Sequence, residues 1–137
     1  PLSPSGLGGN ETILVVEDQD DVRALTRAVL LEYGYDVLEA ATAAAALELS
    51  EKHGGFIHLL LTDVVLPGMN GRELADRMKL IRPEARVLFT SGYTADVIAH
   101  RGVLDQGVAF IAKPFAPDGL AARVRQVLLD PPPGASE

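Results

Sequence analysis

Thr12-Ile13-Leu14-Val15-Val16-Glu17-Asp18 runs five β-branched or apolar residues directly into two carboxylates. A strand buried on both faces has that unbroken apolar character, whereas a half-exposed strand alternates. Three further runs share it: Leu59-Leu60-Leu61-Thr62, Val87-Leu88-Phe89-Thr90 and Val108-Ala109-Phe110-Ile111. Asp36-Val37-Leu38-Glu39-Ala40 is more polar and reads as an edge strand.

Helical patterns fill the intervals. Val22, Leu25, Val29 and Leu30 form a stripe at i, i+3 and i+4 spacing, with Arg23 and Arg27 off it. Ala43 to His53 is Ala-rich, and Gly54-Gly55 is expected to stop it. Asn70 with Glu73 three residues on is a helix-opening pair, and Pro83 closes the helix that runs to Ile81. A weaker helix is expected over Thr94 to Arg101. The last begins at Pro117 and presents Leu120, Val124, Val127 and Leu128. Strand and helix thus alternate five times, which predicts an α/β domain with a parallel sheet and helices on both faces.

The flanks differ in composition. Residues 1–10 hold Pro, Gly and Ser and read as a leader or linker; residues 131–137 begin with three Pro and read as a tail. Residues 11–130 form the expected domain. Across all 137 residues there is no Cys, the formal net charge is −7, hydrophobic residues make up 47% and charged residues 23%. A packed core is therefore expected, while disulfides and thiolate metal sites are excluded. The acidic balance argues against direct nucleic-acid binding, and no apolar run reaches the ~20 residues of a membrane span.

In a parallel sheet of this kind, ligands bind beyond the carboxyl ends of the strands. Those ends carry Glu17-Asp18, Asp63, Thr90-Ser91-Gly92 and Lys113-Pro114. Any one of these acidic residues alone reads as a solvated turn residue. Lys113 says more, because Lys52 and Lys79, the other two lysines, lie on expected helices. Two carboxylates about 5 Å apart repel by roughly 3 kcal/mol at an effective dielectric near 20, so a group of three calls for a counter-charge. A hard divalent cation such as Mg²⁺ suits oxygen ligands. The Lys113 ammonium and the Ser91 hydroxyl suit phosphoryl oxygens. Asp63 is then a metal ligand, a nucleophile or both.

The segments Ile13 to Asp18, Asp63 to Gly71, Phe89 to Tyr93 and Phe110 to Phe115 resemble the signature segments of bacterial response-regulator receiver domains, and the wording is most similar to receivers attached to hybrid sensor histidine kinases. The resemblance implies a single doubly wound (βα)5, flavodoxin-like domain with strand order 2-1-3-4-5. It implies that Asp63 accepts a phosphoryl group from phosphohistidine in two-component signalling or a phosphorelay. It implies that Asp18, Asp63, the Val65 carbonyl and Glu17 (partly through water) hold Mg²⁺. Ser91 and Lys113 would hold phosphoryl oxygens, Ser91 and Phe110 would form the conformational switch, and the Lys113–Pro114 bond would be cis. The partner would be a sensor histidine kinase or a histidine phosphotransfer domain. A homodimer could form through the 94–101 helix, the fifth strand and the last helix. The location would be cytoplasmic, with a possible tether through a membrane-bound parent kinase. The domain would catalyse its own phosphotransfer and a slow dephosphorylation without being a conventional enzyme.

Two other functions compete. A phosphohydrolase of the haloacid-dehalogenase type also uses an Asp nucleophile with Ser or Thr, Lys and Mg²⁺. It places that Asp on the first strand, however, and a second Asp two residues later, where this chain has Val65. A pseudo-receiver that serves only for docking would not need the acidic pair, Asp63, Ser91 and Lys113 all intact.

Overall fold

The computed structural model describes residues 8–92 and 109–129. Five strands form one parallel sheet: β1 (Thr12–Val16), β2 (Asp36–Ala40), β3 (Leu59–Asp63), β4 (Arg86–Ser91) and β5 (Phe110–Ala112). Their order is β2-β1-β3-β4-β5, that of a flavodoxin-like doubly wound fold. Four helices are described: α1 (Asp20–Glu32), α2 (Ala43–Lys52), α3 (Gly71–Ile81) and α4 (Pro117–Leu129). Tyr93, the helix expected over 94–101, Val108 and the 131–137 tail lie outside the described residues.

The alternation of side chains along each strand divides the core in two. Ile13, Val15, Leu59, Leu61 and Leu88 meet α1 and α4 through Val29, Leu30, Leu120 and Val124. Leu14, Val16 and Leu60 face the other way, onto Ala46, Leu74 and Met78 of α2 and α3. The central strand β3 is buried throughout, as its unbroken apolar run requires, and the more polar β2 lies at the edge. The chain leaves β1 for β2 on one side and returns to β3 on the other, so a crevice opens between the carboxyl ends of β1 and β3.

Local signals set most of the helices. Asn70 and Glu73 form the reciprocal capping box at the start of α3. Pro117 is the first residue of α4, and Leu120, Val124, Val127 and Leu128 are its buried stripe, with Ala121.

Three expectations are corrected. Leu25 is 60% exposed and Thr26 takes the buried position in α1. Residues 22, 26, 29 and 30 share one arc of a 3.6-residue helix, and the Thr26 hydroxyl is satisfied locally by donating to the Val22 carbonyl, 2.8 Å. The α2 helix ends at Lys52, with His53 already extended, ahead of Gly54-Gly55. There Arg82 caps it from beyond α3, donating to the carbonyls of Ser50 (2.9 Å), Gly55 (2.6 Å) and His53. The fifth strand runs to Ala112, because Phe110, Ile111 and Ala112 take register with Phe89, Thr90 and Ser91. The third and fourth strands end at Asp63 and Ser91, the carboxyl ends expected for them.

Of the expected leader, Gly8 to Asn10 are described. The Gly9 N–H donates to the Tyr33 carbonyl, 3.1 Å. Arg125 of α4 donates to the Gly8 carbonyl (3.0 Å) and pairs with Glu11 (2.5 Å).

Candidate functional site

The parallel register delivers the strand ends to one place. β1 pairs with β3 up to Val16 and Thr62, and β3 with β4 up to Asp63 and Thr90. The next residue of β1 is Glu17, whose N–H still donates to the Ala40 carbonyl of β2, 3.1 Å; beyond it the chain leaves the sheet. Glu17, Asp18 and Asp63 therefore converge, with one carboxylate oxygen from each within 4.8 Å of the others. Glu17 and Asp63 are buried, whereas Asp18 is exposed.

Lys113 follows β5 and reaches back across the sheet. Its ammonium donates to Asp63 Oδ2 at 2.7 Å and to Glu17 Oε1 at 2.9 Å. The other Asp63 oxygen, Oδ1, accepts from the Val65 N–H at 3.1 Å, and Glu17 Oε2 accepts from the Gln19 N–H at 3.1 Å. The Lys113–Pro114 bond is cis.

Burial raises the pKa of Glu17, and the negative charge of Asp63 adds to this; the Lys113 ammonium and the Gln19 N–H pull the other way without cancelling it. For Lys113, burial works to lower the pKa, but the hydrogen bonds and charges of Asp63 and Glu17 outweigh it and leave it above the usual lysine range. One ammonium thus serves two buried carboxylates, and the cluster keeps an excess of negative charge.

The remaining expected residues stand in different relations to this cluster. Ser91 is buried at the end of β4, one residue past Thr90, the register partner of Asp63, and its carbonyl accepts from the Lys113 N–H at 2.8 Å. Val65 is tied to the cluster by its backbone N–H while its side chain is 56% exposed beside it. Phe110 packs against Val64 and Phe89 and makes no part of the acidic cluster. His58 stands apart from this cluster and accepts the Thr12 N–H on Nδ1 at 3.0 Å.

Two contributors escaped the sequence reading. A Cβ on Gly71 would overlap the Asp63 carbonyl oxygen, and the Gly71 N–H donates to the Val64 carbonyl at 2.7 Å, so α3 starts directly against the backbone that presents Asp63. The Asn-Gly pair was legible as a helix start, but nothing local says what the glycine touches. Arg23, which lies off the apolar stripe of α1, donates to the Glu17 carbonyl, 2.8 Å, and to the Asp20 and Glu39 carboxylates. A cation four residues into a helix, where the dipole disfavours it, was the available signal.

Three carboxylates with converging oxygens make a hard-oxygen donor set that fits a divalent cation of the Mg²⁺ or Ca²⁺ type. The arrangement can also present a carboxylate to an electrophile while an ammonium neutralises the charge on its oxygens.

Known proteins share this organisation. The profile of the family described as Response regulator receiver domain matches residues 13–125. The sensor kinase CckA of Brucella abortus (strain 2308) is 38% identical over 122 residues, 89% of this chain and 13% of that protein. Sporulation initiation phosphotransferase F of Bacillus subtilis (strain 168) is 35% identical over 120 residues, 87% of this chain and 94% of the relative. The chain therefore spans a small part of one relative and nearly all of the other. Among solved structures, the receiver domain from the hybrid histidine kinase CckA superposes with a TM-score of 0.72 at 39% identity, covering 85% of this chain and 98% of that one. A CheY-like receiver from Methanospirillum hungatei JF-1 gives 0.72 at 31% identity, covering 88% and 94%.

Proposed function

Because the chain belongs to the response regulator receiver domain family, a phosphoacceptor module of two-component signalling, we propose that Asp63 is the residue that takes the phosphoryl group. The observation that carries this reading is the placement of Asp63: a buried carboxylate held by the Lys113 ammonium on Oδ2 and the Val65 N–H on Oδ1, at the open end of the sheet. These two donors orient the carboxylate, so an oxygen lone pair faces outward without searching rotamers.

The donor is a phosphohistidine on a sensor histidine kinase or a histidine phosphotransfer domain. An Asp63 oxygen attacks phosphorus, the O–P bond forms as the P–N bond breaks, and the imidazole leaves. Lys113 moves its charge from the carboxylates onto a phosphoryl oxygen, and the Ser91 hydroxyl donates to another. Glu17, Asp18, Asp63 and the Val65 carbonyl would hold Mg²⁺, which when bound neutralises charge on the phosphoryl oxygens. Ser91 is drawn toward the new phosphoryl group, and Phe110, packed against Val64 and Phe89, changes rotamer as the relay.

No helix among the described residues is long and apolar enough to cross a membrane. With no cysteine in the chain and a kinase as donor, the cytoplasm is the compartment we assign. The dimer expected earlier uses the 94–101 segment, which lies outside the described residues.

The test is direct. The chain is incubated with a small acyl-phosphate donor and Mg²⁺, and its intact mass is measured. Wild type gains one phosphoryl group, and Asp63→Asn, which lacks the nucleophilic carboxylate, gains none. A phosphoryl mass on the peptide containing residue 63 of Asp63→Asn would overturn the assignment.

A further inference from the structure

We infer that Arg23 is a positioning residue for the Glu17–Asp18 pair and thereby sets the affinity of the site for its cation; this rests on the reading of the acidic cluster as a Mg²⁺ site. The Glu17 carbonyl is the first backbone acceptor after β1 leaves the sheet, and the orientation of its peptide group decides where Asp18 points. Arg23 Nη1 donates to that carbonyl at 2.8 Å. The rest of the guanidinium is held in turn: Nη2 by Asp20 Oδ1 at 2.7 Å and Nε by Glu39 Oε1 at 3.3 Å.

These partners come from three places. Asp20 is on the first turn of α1, Glu39 is on the edge strand β2, and Glu17 is at the end of β1. One rigid fork therefore ties the loop bearing the carboxylates to both elements that flank it. The Glu17 side of the loop is pinned independently, by the Gln19 N–H and by Lys113. Asp18, the exposed member, has its place set by the peptide group that Arg23 grips.

Within α1 Arg23 has one partner, Asp20 in the preceding turn, and that carboxylate is largely exposed. A cation so near the amino end works against the helix dipole, whereas outside the helix it holds the Glu17 carbonyl and the Glu39 carboxylate. The side chain is 18% exposed, so its bonds are shielded from water on most sides. Arg27 meets only the other oxygen of Glu39, at 3.3 Å, and is about half exposed. It has no bond to the loop among those described.

Partners that orient metal ligands usually change affinity by 10–100-fold when removed. Binding of Mg²⁺ alone is measured by calorimetry on the unphosphorylated chain, with urea midpoints and the amide shifts of Asp18 and Gln19 recorded on the same samples. Arg23→Ala is expected to weaken Mg²⁺ by about tenfold and to shift both amides. Arg23→Lys, whose compact ammonium lacks the planar fork that spans these separated partners, is expected to recover only part of the affinity. Glu39→Gln, which loosens the fork and leaves the Glu17 contact, should cost about two- to threefold on the same scale, and it keeps the inference testable if Arg23→Ala does not fold. A purely structural arginine would lower the urea midpoint and leave Mg²⁺ affinity within twofold of wild type, and that result overturns the inference. If wild type itself binds no Mg²⁺, the reading of the cluster fails and the inference falls with it.

Discussion

The ammonium of Lys113 lies 2.7 Å from Asp63 Oδ2 across 50 residues of sequence, and the same nitrogen meets Glu17 Oε1 at 2.9 Å. A single cation thus holds together two buried carboxylates that would otherwise face each other. The site is built on an electrostatic conflict that the fold contains but does not remove.

Replacing Lys113 by Met should expose that conflict. The pKa of Lys113 is raised in the folded state, so its contribution to stability is complete below the ordinary lysine value of 10.5 and is lost as pH rises through the higher folded value. Urea midpoints of wild type and Lys113→Met should differ at pH 7 and stay apart to about pH 10, then converge above it. A gap that closes between pH 5 and 8 would assign the effect to another group.

Glu17→Gln should stabilise the domain at neutral pH. The pKa of Glu17 is raised by burial, so the folded state favours its protonated form. Its favourable contribution is present below the model-compound value of 4.5 and lost as pH rises through the folded value. Gln removes the charge and keeps an acceptor for Gln19 and Lys113. Thermal midpoints should therefore be higher for the variant at pH 7, with the advantage shrinking toward pH 4, while Mg²⁺ affinity falls. No gain at pH 7 would show that burial of Glu17 is fully offset by Lys113.

Gly71→Ala tests the seating of α3 against the end of β3 that presents Asp63. The added methyl overlaps the Asp63 carbonyl oxygen, a backbone atom that cannot rotate away. The expected loss is about 1–3 kcal/mol in a urea titration. The rate of phosphorylation by a small donor should fall as well, because the shift is transmitted to residue 63. A variant as stable as wild type would mean that the start of α3 slides freely.

Val65 bears on the lifetime of the phosphorylated state. Its side chain is exposed beside Asp63 and has no hydrogen-bonding group to hold a water in line with the phosphorus. Self-dephosphorylation should be slow, and Val65→Asn should accelerate it about tenfold, or about 1.4 kcal/mol of barrier. Decay of purified phosphoprotein in one Mg²⁺ buffer decides this, and equal rates would remove Val65 from the mechanism.

What the sequence by itself determined is whatever depends on near neighbours. Four apolar runs named the inner strands and β5, and the more polar Asp36–Ala40 run named an edge. Asn70 with Glu73 and the Leu120-Val124-Val127-Leu128 stripe placed two helices. Parallel order then sent Glu17, Asp18, Asp63, Ser91 and Lys113 to one end of the sheet, since strands in register must finish together.

Only the tertiary structure decided which polar side chains meet. The arginines show this best. Nothing local marks the partners of Arg23, Arg82 or Arg125, yet each grips backbone carbonyl oxygen, and the carbonyls held by Arg82 and Arg125 lie 27 to 117 residues away. A long flexible cation carries no periodic signature, and its partner is chosen by distance in space. The same holds for Leu25 and Thr26, where hydropathy favoured the leucine and the packing of α1 on the sheet buried the threonine. Hydrophobic periodicity is a property of a segment, while the gripping of a carbonyl or a carboxylate is a property of two segments whose separation the fold alone sets.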